Sequence, residues 1–532
     1  MKNYIKIIIV LLICFKGFSQ EIPLPKITKS IIFKDEYKNS SIQSINSDGK
    51  GGVIVIRIQL SKFQQEKIYT IETYDKNLNL VNQKEYDIED RPKEIRRYLV
   101  LGVITKDDKV NIIDYFYNNN NKKFVCTAKT FSANTPNFIE KELFSFDGEE
   151  NFESNGKMVL KAYGSLFGLG GNKDLYENYA KMMINNKKSA FAVSIKIKDK
   201  KSEKFKMYTF SSSLEKKLEH DFDTKVKNRN FTFDDFDLSP DGNSIYLLSK
   251  VKNENSKDKK KGGKYEFVLS EITSTTEKNL NIDTKLQYCQ SLTLLTNESF
   301  LKCVGFYSEK NDFRYKGIVV YDINVNGLSI NKSSFNPFTS QFLTDKYGKI
   351  KDKELRNLEI NDFKISTDNE IIINAEERFV QIVTSSTGTG GMYSYPIFHF
   401  NDIVSTKINA EDGLVWARNI NKKQSTTGQG QSQFFYSFTS ASVGKNNYLF
   451  VNASEKPKKI SNDRIEFKDT SKNSSNINMI RFDENGNFDF IEILDNKQNE
   501  MPFLVGQGIQ VDNSIYFLGR DGKKKQLLRV SI

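Results

Sequence analysis

One local pattern recurs along the whole of this 532-residue chain: an extended apolar stretch, a polar turn, then a second extended stretch. The clearest copy runs from Phe231 to Lys250, FTFDDFDLSPDGNSIYLLSK. The same shape starts at Ser41 (SIQSINSDGKGGVIVIRI), Leu99 (LVLGVITKDDKVNIIDYF) and Ser291 (SLTLLTNESFLKCVGF). It returns at Ile360 (INDFKISTDNEIIINAEE), Ser437 (SFTSASVGKNNYLFVNAS) and Val505 (VGQGIQVDNSIYFLGRDG). Polar turns fall near residues 48, 107, 186, 242, 297, 368, 446 and 512. Repetition on this scale marks like units stacked around a shared core, as in a propeller or a solenoid.

A second pair of strands follows the hairpin at Lys67–Tyr86, at Tyr265–Thr273 with Lys278–Thr284, and at Asn478–Leu494. Two hairpins make a four-stranded meander, which takes about 40 to 50 residues before longer loops are added. The 40 Phe and 24 Tyr suit strands. The hydrophobic fraction of 38% suits many half-exposed sheets, and nine Pro leave little room for Pro-rich linkers. The C-terminal unit shows three strands, Gln507–Gln510, Ser514–Leu518 and Lys525–Ile532, while a lone strand, Ile27–Asp35, lies near the start. That strand would complete the last unit and lock a ring, hiding the sheet edges. The expectation is an all-β chain: a β-propeller of four-stranded blades, eight of them, with seven the nearest alternative. Two stretches break the pattern and read as short helical insertions. One is 147–186, with Leu175, Tyr179, Met182 and Met183 at helical spacing; the other is 343–358, containing KDKELRNL.

Residues 1–19 read as an export signal, with Lys2 and Lys6 before the apolar run Ile7–Phe15 and a cut after Ser19. The run is too short to span a bilayer, and no later segment is apolar enough to do so. Residues 20–532 then form a single propeller domain, exported to the periplasm, the outer membrane or the medium. Loss of Lys2, Lys6 and Lys16 takes the formal charge from +12 to about +9. A basic excess can signal nucleic acid or an anionic glycan. Here Lys rises together with Asn and Ile, as an AT-rich genome dictates, and the Lys runs at 257–264, 456–459 and 523–525 fall at expected loop tips. No nucleic-acid partner is expected. Cys126, Cys289 and Cys303 are odd in number, which excludes a fully paired framework. A two-residue turn would set Cys303 opposite Leu292 rather than Cys289, so buried free thiols are expected.

The segment Leu238-Ser239-Pro240-Asp241-Gly242-Asn243-Ser244-Ile245-Tyr246 resembles the SPDG hairpin of TolB-type propeller repeats. Glu359–Glu377, Phe400–Val404 (FNDIV), Gly413–Trp416 (GLVW) and Asn421–Gln424 (NKKQ) resemble a pattern of secreted proteins of Bacteroidota, and the leader ending FSQ is similar to leaders from that phylum. The resemblance implies fold and export and carries no catalytic residue.

Histidine is confined to His220 and His399, in the contexts KKLEHDFD and YPIFHF. A Ser–His–Asp triad needs one well-oriented His, and no GxSxG elbow accompanies either. No HExxH or paired CxxC suggests zinc, and GSLFGLGG at 164–171 lacks the phosphate-loop pattern. Carboxylates remain. Asp234, Asp235 and Asp237 enter one repeat, Asp362 and Asp402 the segments of another, with Glu376 and Glu377 nearby. On a channel rim such acids would act on a glycosidic bond or hold a cation; solvated strand-entry residues are the alternative. Asp483, Asn485, Asn487 and Asp489 alternate as in a calcium loop, although an Asn-Gly hairpin turn accounts for them without metal. Ser385–Tyr395 and Ser425–Gln433 read as loops on one face of the ring. Beside them Tyr393, Tyr395, Phe434, Phe435 and Tyr436 form either an aromatic surface for a glycan or peptide, or buried strand-start aromatics. The sequence thus points to a secreted cell-envelope binding or scaffolding propeller with an envelope protein or polysaccharide as partner and no cofactor. The alternative is a carboxylate-based, saccharide-active enzyme, and a third reading is a purely structural envelope protein.

Overall fold

The computed structural model describes residues 24–532 apart from 62–65, 89–90, 107–108, 133–137, 149–179, 198–201, 228–229, 253–264, 285–286, 310–311, 313, 351–354, 387–390, 429, 456, 463 and 470. The expected leader, the glycine-rich run 164–171 and the Lys run 257–264 lie outside the described residues.

The described strands fall into eight sheets, at residues 39–87, 95–147, 180–227, 231–282, 287–337, 358–426, 438–494 and 509–531, here called sheets one to eight. Consecutive strands within these ranges pair antiparallel, and Ile465–Lys468 adds to sheet six in parallel beside Leu414–Thr426. Every turn singled out in the sequence joins the first strand of a sheet to its second. The SPDG copy shows why. Ser239 N donates to Ser244 O at 3.0 Å, closing the turn, and Asp241 Oδ1 accepts from Asn243 N at 3.0 Å. Gly242 sits at φ 73°, where a side chain would be strained.

Middle strands are buried on both faces, and alternate residues serve different cores. In Val53–Leu60, Val53 and Val55 pack with Tyr516 and Leu518 of sheet eight, whereas Ile54, Ile56 and Ile58 pack with Val110 and Ile112 of sheet two. In Ile245–Lys252, Ile245 and Leu247 face sheet three, and Tyr246 and Leu248 face sheet five. Eight apolar clusters arise in this way, each shared by two consecutive sheets, and one of them joins sheet eight to sheet one. The sheets therefore close on themselves as a β-propeller.

Closure uses both ends of the described chain. Lys26–Lys29 pairs with Lys524–Ser531 in the register Lys26↔Ser531 to Lys29↔Leu528. Ser30 N then donates to Leu527 O at 2.9 Å, and Ser30 Oγ accepts from Leu527 N at 2.9 Å. Further along the same segment, Asp35 is buried against Arg57 of sheet one at 2.9 Å. The other side of that guanidinium holds Glu72 at 2.6 Å, and Phe33 lies over its face at 4.6 Å.

Three local expectations need correction. Met182 and Met183 lie in a strand, Ala180–Ile184, not a helix; in so short a segment apolar neighbours fit either period. The second insertion holds a helix at Ser340–Tyr347, earlier than the expected 343–358. Thr339 caps its start by accepting from Phe342 N, Gly348 ends it at φ 76°, and Leu358 already begins a strand. Cys303 stands opposite Leu294, not Leu292, because four residues, 297–300, form the turn. Cys126, Cys289 and Cys303 are free and buried, and burial pushes the Cys289 thiol up to about 12.

Because Asp35 and Glu72 converge on Arg57 out of water, Arg57→Ala strands Glu72 and leaves Asp35 only the longer contact to Lys525 at 3.7 Å. The substitution should cost about 3–5 kcal/mol, read by chemical denaturation, whereas removal of an exposed pair such as Lys445–Glu484 should leave the denaturation midpoint nearly unchanged.

Candidate functional site

Antiparallel order sorts the connections between two ends of the ring. Turns between first and second strands, and between third and fourth, lie at one end; second-to-third and sheet-to-sheet connections lie at the other. Two described turns at the first end are closed by their own side chains. Asp75 Oδ1 accepts from Asn77 N at 2.8 Å and Asn79 N at 2.9 Å. Asp483 Oδ1 does the same for Asn485 N at 2.9 Å and Asn487 N at 2.8 Å, with Gly486 at φ 79°. The proposed calcium ligands are thus a second copy of a hairpin turn, and Asp489 pairs with Arg481 at 2.8 Å. Among the described residues no group of three or more His, Cys, Asp or Glu is arranged to hold a metal ion.

Among the described residues, elaboration is concentrated at the other end, around sheet six. The helix Ser340–Tyr347, the turn of 3₁₀ helix Gly430–Phe435 and the short strands Lys458–Lys459 and Ile465–Lys468 all belong to connections of that end. So does the tip of an unusually long hairpin. Its arms are Ile371–Ser386 and Met392–Ile408. The preceding strand, Leu358–Ile365, covers the first arm only as far as Leu358↔Glu377, and Leu414–Thr426 covers the second only as far as Phe398↔Thr426. Beyond both of these points a two-stranded ribbon continues alone from Gln381↔Ile397 to Ser386↔Met392, about 17 Å at 3.3 Å per residue.

Cross-strand partners share a face. One face carries Phe379 with His399, Gln381 with Ile397, Val383 with Tyr395 and Ser385 with Tyr393. Phe379 and His399 stack at 4.4 Å, His399 Nε2 lies 3.1 Å from Gln381 Oε1, and Tyr393 and Tyr395 stack at 5.9 Å. The other face carries Val380, Ile382, Phe398 and Met392. Exposure is high: Ile382 64%, Met392 76% and Tyr393 53%. No Asp, Glu, Lys or Arg occurs between Arg378 and Asp402, in a chain in which 27% of residues are charged.

The root of the ribbon is the reverse, dense with buried charge. Glu376, fully buried, meets Lys422 at 2.8 Å, accepts from Ser437 Oγ at 2.9 Å and pairs with Arg378. Burial alone would raise its carboxyl pKa, but Lys422 and Arg378 outweigh it and hold the carboxyl below its ordinary range. Lys422 Nζ also donates to Phe400 O at 2.9 Å and Tyr436 O at 2.7 Å, tying the second arm to the next sheet. Lys346, from the helix, bridges Asp402 at 2.7 Å and Glu377 at 3.2 Å. Burial lowers its ammonium pKa, and these two carboxylates more than reverse the effect. Arg418 binds Asp345 at 2.6 Å, and Arg464 Nη1 donates to Lys346 O at 2.6 Å, satisfying a carbonyl at the helix end.

The acids singled out in the sequence are divided by this arrangement. Asp234, Asp235 and Asp237 do lie on a first strand, but they reach sideways to the first strand of sheet five. Asp234 Oδ2 accepts from Leu292 N at 3.2 Å, Asp235 Oδ2 from Leu294 N at 3.0 Å, and Asp237 Oδ2 from Thr296 Oγ1 at 2.8 Å. Asp362 likewise accepts from Ser440 Oγ on the first strand of sheet seven. Asp402 is not on a first strand: it sits on the third strand of its sheet, in the root network. Among the aromatics, Tyr393 and Tyr395 are on the ribbon, in strand rather than loop. Phe435 is 1% exposed and belongs to the interior, and Tyr436 is half-buried beside Phe400 at 6.4 Å. His220 pairs with Glu277 at 2.6 Å, far along the chain from these groups.

No family model matches the sequence, and no curated protein matches it. Solved structures with a related layout include the β-propeller domain of the Trilobed protease from Pyrococcus furiosus (9% identity over 87% of this chain and 98% of that one, TM-score 0.36). Others are prolyl oligopeptidase B from Galerina marginata (10%, 92% and 55%, 0.37) and Drosophila Plexin A in complex with Semaphorin 1b (8%, 96% and 88%, 0.33). Likenesses this distant carry no activity, ligand or partner to this chain.

Two pH effects follow. Burial pushes the Asp237 carboxyl up to about 6. Such an acid holds its proton more readily folded than unfolded, so its contribution falls as pH rises from about 4 to about 6. Asp237→Asn should flatten that part of the melting-temperature profile while keeping the Thr296 contact. Glu376 has the opposite sign: its stabilisation is present above the ordinary carboxylate range and is lost as pH falls through its lowered pKa. Glu376→Gln should cost about 3–5 kcal/mol at pH 7, with the gap to the parent narrowing below about pH 4 in denaturant melts.

Proposed function

We propose that this protein is a binding module of the cell envelope, exported by its leader, and that the ribbon of sheet six is its ligand-contacting element. The observation that carries the reading is the contrast within one hairpin. A rigid, charge-locked root presents an uncharged arm with exposed aromatic and aliphatic side chains, and large exposed apolar groups on a stable scaffold mark interaction sites. The face bearing Tyr393, Tyr395, Gln381 and Ser385 offers ring faces and neutral hydrogen-bonding groups. That chemistry suits an uncharged glycan or an uncharged extended peptide, and the lack of charge disfavours nucleic acid. The charged clusters elsewhere favour this reading over saccharide hydrolysis: Asp234, Asp235, Asp237 and Asp362 hold neighbouring strands together, and Glu377 and Asp402 neutralise Lys346.

The test compares the parent with Tyr393→Ala/Tyr395→Ala in affinity capture from cross-linked envelopes and on neutral-glycan arrays. The double variant should melt within about 0.5 kcal/mol of the parent, since one ring is exposed and the other half-exposed. It should bind at least about 10-fold more weakly, the loss expected of an aromatic hot spot. Equal capture by both proteins would place the ligand elsewhere on the ring. Turnover of a saccharide that Asp234→Asn or Asp362→Asn abolishes in a folded protein would establish the enzyme reading instead.

A further inference from the structure

We propose that the free edge of the ribbon pairs with the same edge of a second copy, joining two molecules through one continuous four-stranded sheet. Arg378 N makes the last described bond on that side, to Asn357 O at 2.9 Å. Backbone groups of alternate strand residues point the same way, so those of Val380, Ile382 and Thr384 face outward beyond it, where none of the described strands pairs with them. Proteins guard such edges with charge, proline or a bulge. Phe379–Ser386 (FVQIVTSS) has neither charge nor proline, and its register with the second arm runs unbroken from Arg378↔Phe400 to Ser386↔Met392. The opposite edge is treated differently, with Pro396 in it and a neighbouring strand as far as Phe398.

Charge argues for a second copy as the occupant. Two molecules of formal charge about +9, the value without the leader's Lys2, Lys6 and Lys16, repel in general, so copies meet best through a segment without charge. Antiparallel pairing about a two-fold axis at Ile382 sets Ile382 against itself, Val380 against Thr384 and Arg378 against Ser386, with no like charges opposed. The exposed Val380 and Ile382 then lie against apolar or neutral neighbours across the new pairing. The contact is isologous, so it closes at two molecules and does not propagate into a fibre. A bilayer suits this edge poorly, because the unpaired N–H and C=O groups would enter hydrocarbon unsatisfied. The pairing uses in-plane backbone groups of the edge with Val380 and Ile382 on one face, and Tyr393 and Tyr395 lie on the opposite face, so this inference and the proposed ligand site stand on different atoms.

Sedimentation velocity of the purified protein over a concentration series tests the pairing. The parent should show a reversible monomer–dimer equilibrium, and Ile382→Lys should weaken it at least tenfold with an unchanged melting temperature. Ile382→Cys should also give a reducible covalent dimer on mild oxidation. Facing residues in an antiparallel pair are roughly 4.5 to 5.5 Å apart at Cα, within disulfide reach. Ile350→Cys, equally exposed but off the edge, should not, and the native cysteines are buried. A monomeric parent at every concentration with no Ile382→Cys cross-link overturns the proposal, as does a dimer that Ile382→Lys leaves intact. Neither result touches the ligand reading, which the Tyr393→Ala/Tyr395→Ala variant tests in monomer or dimer alike.

Discussion

Sharing each sheet between two cores is the constraint on which the rest of the structure depends. A middle strand such as Val53–Leu60 has no solvent face: its odd residues pack on sheet eight and its even ones on sheet two. A sheet built this way cannot be terminal. Without sheet eight beside it, Val53, Val55 and Tyr74 would return to water, at about 1.5–3 kcal/mol for each large apolar side chain. The ring must therefore close, and closing it falls to the segment that runs from Lys26 through Asp35. The strand Lys26–Lys29 fills the outer position of sheet eight, and a few residues later Asp35 meets Arg57 of sheet one. One short segment thus connects the last sheet to the first by backbone pairing and by a buried charge, with Glu72 completing the guanidinium's partners.

The same geometry gives the acids near the channel their work. First strands of neighbouring sheets approach one another without a backbone ladder between them, which leaves N–H groups such as those of Leu292 and Leu294 in need of acceptors. Asp234 and Asp235 supply them across the gap. At Asp237 the raised pKa reflects the cost of burying a carboxylate whose partners are hydroxyl and amide dipoles rather than a cation. Clustered acids in a sequence signal chemistry only when nothing nearby consumes their lone pairs, and here a neighbouring strand does.

How much of this was legible in the sequence depended on the range of the interaction. The hairpins were legible because strand alternation and turn chemistry are local: Asp241-Gly242-Asn243 and Asp483 to Asn487 specify their turns within a few residues. The closing strand was legible because a lone β-pattern at one end matched a missing strand at the other. Met182 and Met183 were misread because five residues cannot separate a strand from a helix. Phe435 and Tyr393 look alike in sequence, each an aromatic beside a polar low-complexity run, yet one is interior and the other exposed. That difference is tertiary. So is the root network, where Lys346, Glu377, Asp402 and Lys422 come from four different elements with no shared spacing. The ribbon has one local signal, the run without charge from Phe379 to Asn401 in an otherwise highly charged chain.

That run bears on what the ring is for. A solitary two-stranded ribbon is marginal in water, and an uncharged one is also prone to association. Nothing in the propeller's own stability requires it, since the eight shared cores form without it. The chain nevertheless places at its root a set of buried ion pairs whose desolvation is costly and whose gain is orientation more than stability. Lys422 fixes Phe400 and Tyr436 through their carbonyls, Lys346 fixes Asp402 and Glu377 from the helix, and Arg378 binds back to Glu376 at the first residue of the arm. Charges hold the base in one geometry, and their absence leaves the arm free to meet neutral surfaces. This division within a single hairpin is hard to explain as packing, and it is what a contact element projected from a rigid ring requires.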